Sequence, residues 1–125
     1  MSSPQKLLLI DDDPLVRRSF EQFLTDVGYE VALAANGRAG LALFTKLHPD
    51  IVVTDIIMPE QEGIETIIQM RKLNPKAKII AVSGSGRVSN QDFLSIAAKF
   101  GAAATLMKPI DQDQLVDAVR KLLDG

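Results

Sequence analysis

The chain predicts an α/β fold, a single doubly wound parallel sheet of five strands with helices on both faces. Three observations lead there. Five short apolar runs alternate with five longer segments of helical periodicity, and strand–helix alternation implies right-handed crossovers and a parallel sheet. The central run, IVVTDIIMP at residues 51–59, is β-branched, short and flanked by Pro49 and Pro59, which favours a buried strand over a buried helix. Its Ile and Val residues fall on both faces, as in strands covered from both sides. The residues able to do chemistry lie where strands run out, and in open α/β sheets ligands collect at the carboxyl ends of strands.

The first strand is Lys6–Ile10 (KLLLI), which gives way abruptly to Asp11-Asp12-Asp13-Pro14. Asp13 followed by Pro14 is a helix start, an N-cap oxygen and then proline at the first helical position. The cap role accounts for Asp13 without a metal. Val16, Phe20, Phe23, Leu24 and Val27 then share a helical face, and Gly28 suits the end of that helix. Residues 29–34 (YEVALA) alternate as a second strand. Asn36-Gly37 turns the chain into a second helix, with Gly40, Leu43, Phe44 and Leu47 on one face.

After the central strand and the loop to Gly63, Ile64, Ile67 and Ile68 open a third helix that stops before Asn74-Pro75. Residues 78–82 (KIIAV) form the fourth strand, opening into Ser83-Gly84-Ser85-Gly86. Ser89, with Asp92 three residues on, announces a fourth helix whose stripe of Phe93, Ile96, Ala97 and Phe100 reads as core packing, and Gly101 ends it. Residues 102–107 are a small-residue strand ending at Lys108-Pro109. Asp111 and Gln114 make a capping box for the last helix, with Leu115, Val119 and Leu122 inward.

The 125 residues fit one domain, residues 1–125, large enough to bury its own core. A net charge of -2 argues against a nucleic-acid-binding surface or a basic membrane patch. The absence of cysteine excludes disulfides and thiolate metal sites, and suits the reducing cytoplasm expected as its location. The apolar runs are too short to span a bilayer, and the first six residues carry no signal-peptide core.

A five-stranded sheet of this kind commonly takes the flavodoxin-like order 2-1-3-4-5, which makes strands one and three neighbours at the switch point. That order brings Asp11 and Asp12 next to Asp55. Two unit charges 4 Å apart cost about 4 kcal/mol at an effective dielectric near 20, so the acids need a cation, a shared proton or water. Oxygen donors without His or Cys favour a hard divalent ion, and Mg²⁺ needs few carboxylates. Strand four brings Ser83 to the same edge and strand five brings Lys108. Nucleophile, metal-binding acids, hydroxyl and ammonium form the parts list of phosphoryl transfer. The Gly-rich stretch after Ser83 lacks the spacing and lysine of a Walker loop. His48, before Pro49, reads as a surface residue away from this edge.

These residues resemble the receiver domains of two-component response regulators. The likeness rests on the acidic pair Asp11-Asp12, the Asp-x-x-Met-Pro of residues 55–59 with Gly63 beyond it, Ser83, and Lys108-Pro109. It implies that Asp55 accepts a phosphoryl group from a sensor histidine kinase or a histidine phosphotransfer protein. It also implies Mg²⁺ (or Mn²⁺) on Asp12, Asp55 and the backbone carbonyl of Ile57, with Asp11 acting through a bound water. Lys108 would pair with Asp55 or its phosphoryl group, Ser83 would report the phosphoryl group, and the Lys108-Pro109 bond would be cis. An unnamed downstream effector would bind the face of helix four, strand five and helix five, a face also compatible with a homodimer.

The sequence departs from the family at Thr105, where receivers usually carry Tyr or Phe, so the usual aromatic switch is missing. Gln61 and Glu62 are further departures, and an apolar Ile57 beside Ser85 predicts slow to moderate hydrolytic loss of phosphate. Two other readings compete. A haloacid-dehalogenase-like phosphatase would use Asp11 of Asp11-Asp12-Asp13 as nucleophile, but it leaves Asp55 unexplained. A pseudo-receiver would bind partners without phosphorylation, which Thr105 permits and the intact acid set disfavours.

Overall fold

The computed structural model describes residues 5–56, 62–84 and 90–124, with the side chains of residues 62 and 90–94 outside that description. Ten elements alternate in order: β1 (Lys6–Ile10), α1 (Pro14–Thr25), β2 (Glu30–Ala34), α2 (Gly37–Leu47), β3 (Ile51–Asp55), α3 (Glu62–Leu73), β4 (Ile79–Ser83), α4 (Asn90–Lys99), β5 (Ala104–Met107) and α5 (Gln112–Asp124). The sheet order is β2-β1-β3-β4-β5, the flavodoxin-like order expected, and every pairing is parallel, as the alternation predicts.

The strands serve two cores at once. Leu8 and Ile10 of β1, Val52 of β3, and Ile79 and Ala81 of β4 pack with Phe44, Ile67, Met70 and Ala97 from α2, α3 and α4. The alternate residues Leu7, Leu9, Ile51, Val53, Ile80 and Val82 pack with Phe20 and Leu24 of α1 and with Leu115, Val116 and Val119 of α5. This is the period-two alternation of strands, with apolar residues at both phases because both faces are covered. Each such Leu or Ile contributes roughly 1.5–3 kcal/mol on burial.

Local chemistry sets the helix starts. Asp13 Oδ1 accepts the Leu15 N–H at 2.9 Å ahead of α1. Asn36 Oδ1 accepts the Ala39 N–H at 2.8 Å ahead of α2. Asp111 and Gln114 form the predicted reciprocal box, at 2.8 and 3.1 Å. The Ser89 cap lies outside the described residues. The α2 helix ends on His48 in the left-handed conformation (φ 49°), a role that sequence pattern assigns to glycine or asparagine more readily than to histidine.

Several expectations are corrected. The second strand starts at Glu30, and the fourth is shifted by one residue from the expected 78–82 to Ile79–Ser83. The fifth starts at Ala104, because the Ala102 N–H bonds back to the Ala97 carbonyl at 3.0 Å and closes α4 instead of opening a ladder. Ile96 and Phe100 are not core residues; both are exposed, while Ala97 between them is fully buried. Among the described side chains of α4, Ala97 alone is buried, and Phe100 follows the helix's last residue. Phe93 lies outside the described side chains. Val27 is exposed because α1 ends at Thr25, before that residue.

Gly63 is required by a close approach. A Cβ there would stand 2.3 Å from the Ile56 Cα and 2.5 Å from its carbonyl oxygen. The first turn of α3 is thereby drawn against the backbone immediately after Asp55.

Candidate functional site

At the carboxyl edge, β1 ends beside β3 (Ile10 pairs with Thr54), and Asp11 follows β1 directly while Asp55 closes β3. Asp11 and Asp55 are buried, whereas Asp12 is exposed. One carboxylate oxygen from each of Asp11, Asp12 and Asp55 lies within 4.8 Å of the others. Lys108, which follows β5, reaches across the edge with its Nζ 2.8 Å from Asp11 Oδ2 and 3.1 Å from Asp55 Oδ2. These two contacts tie together positions 97 and 53 residues apart. Here the cation that the acid cluster demands is an ammonium from the chain itself.

Burial works to lower the Lys108 pKa, but the hydrogen bond to Asp11 and the charges of Asp55 and Asp11 outweigh it. The pKa is therefore raised above the ordinary 10.5. Lys108 remains an ammonium throughout the neutral range.

Ser83 ends β4 beside this group. Asp55 pairs with Val82, Ser83 pairs with Met107, and the Lys108 N–H donates to the Ser83 carbonyl at 2.8 Å. The serine is fully buried, and its hydroxyl donates to the Gly84 carbonyl at 3.3 Å. The Lys108-Pro109 bond is cis. The structure thus brings together Asp11, Asp12, Asp55 and Lys108, with Ser83 in adjacent register. Ile57 and Ser85 fall outside the described residues, as do Met58, Pro59 and Gln61. His48 lies exposed before the amino end of β3, away from the acids. Thr105 is exposed on β5.

Sequence reasoning missed Arg17. Its Nη1 donates to the Asp11 carbonyl at 2.7 Å, reaching back from α1 onto the acidic turn. A long cationic side chain six residues after a terminal acid is the only pattern that could have suggested it.

Residues 7–120 match the family described as the response regulator receiver domain. The chain is 38% identical over 119 residues to the chemotaxis protein CheY of Thermotoga maritima, covering 94% of this chain and 97% of that protein. It is 31% identical over 119 residues to sporulation initiation phosphotransferase F of Bacillus subtilis, covering 95% and 94%. Among solved structures, a CheY-like receiver domain protein from Methanospirillum hungatei JF-1 superposes with a TM-score of 0.87 at 34% identity, over 98% of this chain and 95% of that one. Fold and pocket define the class as a CheY-like α/β domain with an acid–lysine pocket at its switch point. The chain belongs to the response regulator receiver family of two-component signalling systems.

Proposed function

We propose that this receiver is a phosphorylation-controlled switch in which Asp55 accepts a phosphoryl group from a phosphohistidine, on a sensor histidine kinase or a histidine phosphotransfer protein. The observation that carries this reading is the Lys108 ammonium held between two buried carboxylates, beside a third acid. The phosphotransferase name of the Bacillus subtilis relative supports the same chemistry.

An Asp55 carboxylate oxygen attacks phosphorus, the bond from phosphorus to the imidazole nitrogen breaks, and the donor ring keeps that electron pair. Lys108 then pairs with the new phosphoryl oxygens, and the Ser83 hydroxyl turns from the Gly84 carbonyl toward them. Three oxygen donors within 4.8 Å, without His or Cys, fit a hard divalent ion. Asp11, Asp12 and Asp55 would hold Mg²⁺ (or Mn²⁺), the Ile57 carbonyl adding to them, and the ion would neutralise charge on the phosphoryl oxygens. The chemistry stays on the chain itself, in phosphorylation and dephosphorylation of Asp55, so the domain acts as a switch and not as an enzyme on other substrates.

The readout surface is the face of α4, β5 and α5, where Ile96, Phe100 and Met107 are exposed. Phosphorylation acts by favouring one of two conformations, and an effector, or a second copy of the chain, reads the difference through contacts that differ between them. The domain spans residues 1–125 and works in the cytoplasm. No described helix is long and apolar enough to cross a membrane.

The phosphatase reading gives way to the family match. Both Asp11 oxygens are also engaged, Oδ1 by the Asp13 N–H at 2.9 Å and Oδ2 by Lys108. Intact mass after incubation with acetyl phosphate and Mg²⁺ tests the proposal. Wild type gains one phosphoryl adduct, and Asp55→Asn gains none. An adduct that survives Asp55→Asn but not Asp11→Asn would move the acceptor to Asp11. No adduct with acetyl phosphate or with a phosphohistidine donor would leave a pseudo-receiver.

A further inference from the structure

The carbonyl of Asp11 sits where β1 leaves the sheet, and it is the last backbone group before the acidic turn. Each polar group of this residue is held. The Asp11 N–H donates to the Ala34 carbonyl at 3.1 Å, so the ladder to β2 extends one step past Ile10. Oδ1 accepts the Asp13 N–H at 2.9 Å, and Oδ2 accepts Lys108 Nζ at 2.8 Å. The carbonyl accepts Arg17 Nη1 at 2.7 Å.

Arg17 holds this turn twice, since its own N–H donates to the Asp13 carbonyl at 2.9 Å in the first intrahelical bond of α1. Backbone and side chain of one residue thus grip both ends of Asp11-Asp12-Asp13. Arg17 is half-buried, and its guanidinium brings positive charge to the acidic turn.

We propose that Arg17 is a positioning residue of the acidic pocket, fixing the β1–α1 turn through the Asp11 carbonyl so that Asp11 and Asp12 face Asp55 at metal-binding separation. This rests on the reading of the pocket as a divalent-metal phosphoacceptor site. Two effects of Arg17 on metal affinity oppose each other. Its charge competes with a bound cation, so removing the charge alone would tighten metal binding. Its hydrogen bond preorganises two donors, so removing that bond would weaken binding. The two effects give opposite signs for the loss of Arg17, and the proposal commits to the hydrogen bond, which reaches the acidic turn directly, as the larger.

Calorimetric titration of Mg²⁺ and Mn²⁺ into wild type, Arg17→Met and Arg17→Gln tests the proposal without relying on phosphorylation. Arg17→Met, which keeps the apolar stem and loses both charge and donor, is expected to bind either ion about tenfold more weakly. Arg17→Gln, neutral but still a donor, is expected to recover most of that loss. With acetyl phosphate, Arg17→Met reaches the wild-type rate of Asp55 phosphorylation once metal is saturating, which separates lost metal affinity from lost chemistry.

Unchanged or tighter metal binding in Arg17→Met, with wild type binding normally, overturns the positioning role and leaves the receiver reading intact. A fall in thermal stability at unchanged metal affinity also overturns it, by making Arg17 a helix-packing residue. Should Arg17→Met fail to fold, the comparison passes to Arg17→Gln against Arg17→Lys. Near wild-type affinity in both, each still a donor, supports positioning, and tighter binding in Arg17→Gln alone, which lacks only the charge, overturns it. Wild type that binds no divalent ion overturns both this inference and the metal-dependent function.

Discussion

At the residue scale, Lys108 has the most demanding position, because two buried carboxylates share its ammonium. Removing one partner of a buried ion set strands the others, at a cost of about 3 kcal/mol or more. Lys108→Met is therefore expected to lose on the order of 3 kcal/mol in urea unfolding with EDTA present, and to regain part of it when Mg²⁺ is added. The pH dependence follows from the raised pKa of this lysine. A base whose folded pKa lies above its unfolded value contributes in full below the unfolded value of 10.5, and the contribution fades as pH rises through the folded value. The stability difference between wild type and Lys108→Met should thus show no Lys108 titration across the neutral range and shrink as strong alkali removes the ammonium's charge. His48 offers a contrasting case. Its left-handed φ of 49° is costly for a residue with a Cβ, so His48→Gly should raise unfolding stability by about 1 kcal/mol. At Gly63 the opposite holds. The atoms that a Cβ would meet are backbone, so Gly63→Ala should cost about 2 kcal/mol in the same experiment and weaken metal binding beside Asp55.

At the scale of elements, the caps and the periodicities were legible. Asp13 before Pro14 and Asp111 with Gln114 act as their residue types dictate, since a side-chain oxygen next to free helical N–H groups needs no tertiary context. The acids and Lys108 were legible because five alternating strands commonly take the order 2-1-3-4-5, and strand order decides which loop ends meet. Three things were not. A stripe such as Ile96, Ala97 and Phe100 says which residues share a face of α4, but not how much of that face the sheet covers. The turn after α2 gives no local reason for histidine in a left-handed cap. The reach of Arg17 to the Asp11 carbonyl depends on how α1 leans over the turn, which no spacing rule states. The α4 correction has a measurable consequence. Phe100→Ser should cost well under 1 kcal/mol of stability, whereas Leu115→Ala on the buried face of α5 should cost about 2–5 kcal/mol. Loss of effector binding in Phe100→Ser without loss of stability would mark α4 as a contact surface.

On the scale of the whole molecule, a divalent ion at the proposed site would be linked to folding. A ligand that binds only the folded state adds about 2.7 kcal/mol at a concentration one hundred times its Kd. Saturating Mg²⁺ is accordingly expected to raise the thermal midpoint of wild type, with the increase abolished by EDTA and much reduced in Asp12→Asn. The two-cored architecture would make this linkage global, because helices on both faces pack against the one sheet whose central strands carry the acids.

The sheet has a weakness that the pocket repairs. In a half-exposed sheet, a strand that slips by one residue turns its apolar side to water, and the slip is penalised at once. β1, β3 and β4 carry apolar residues at both phases, so the cores alone discriminate poorly between the native alignment and its neighbour. The buried polar side chains that break this degeneracy are Asp11, Thr54, Asp55 and Ser83, joined at the edge by Lys108. A strand displaced by one position would drag a carboxylate among hydrocarbons or leave the ammonium without its partners. The residues proposed to receive the signal therefore also serve as alignment marks, telling each strand where to stop as the chain folds.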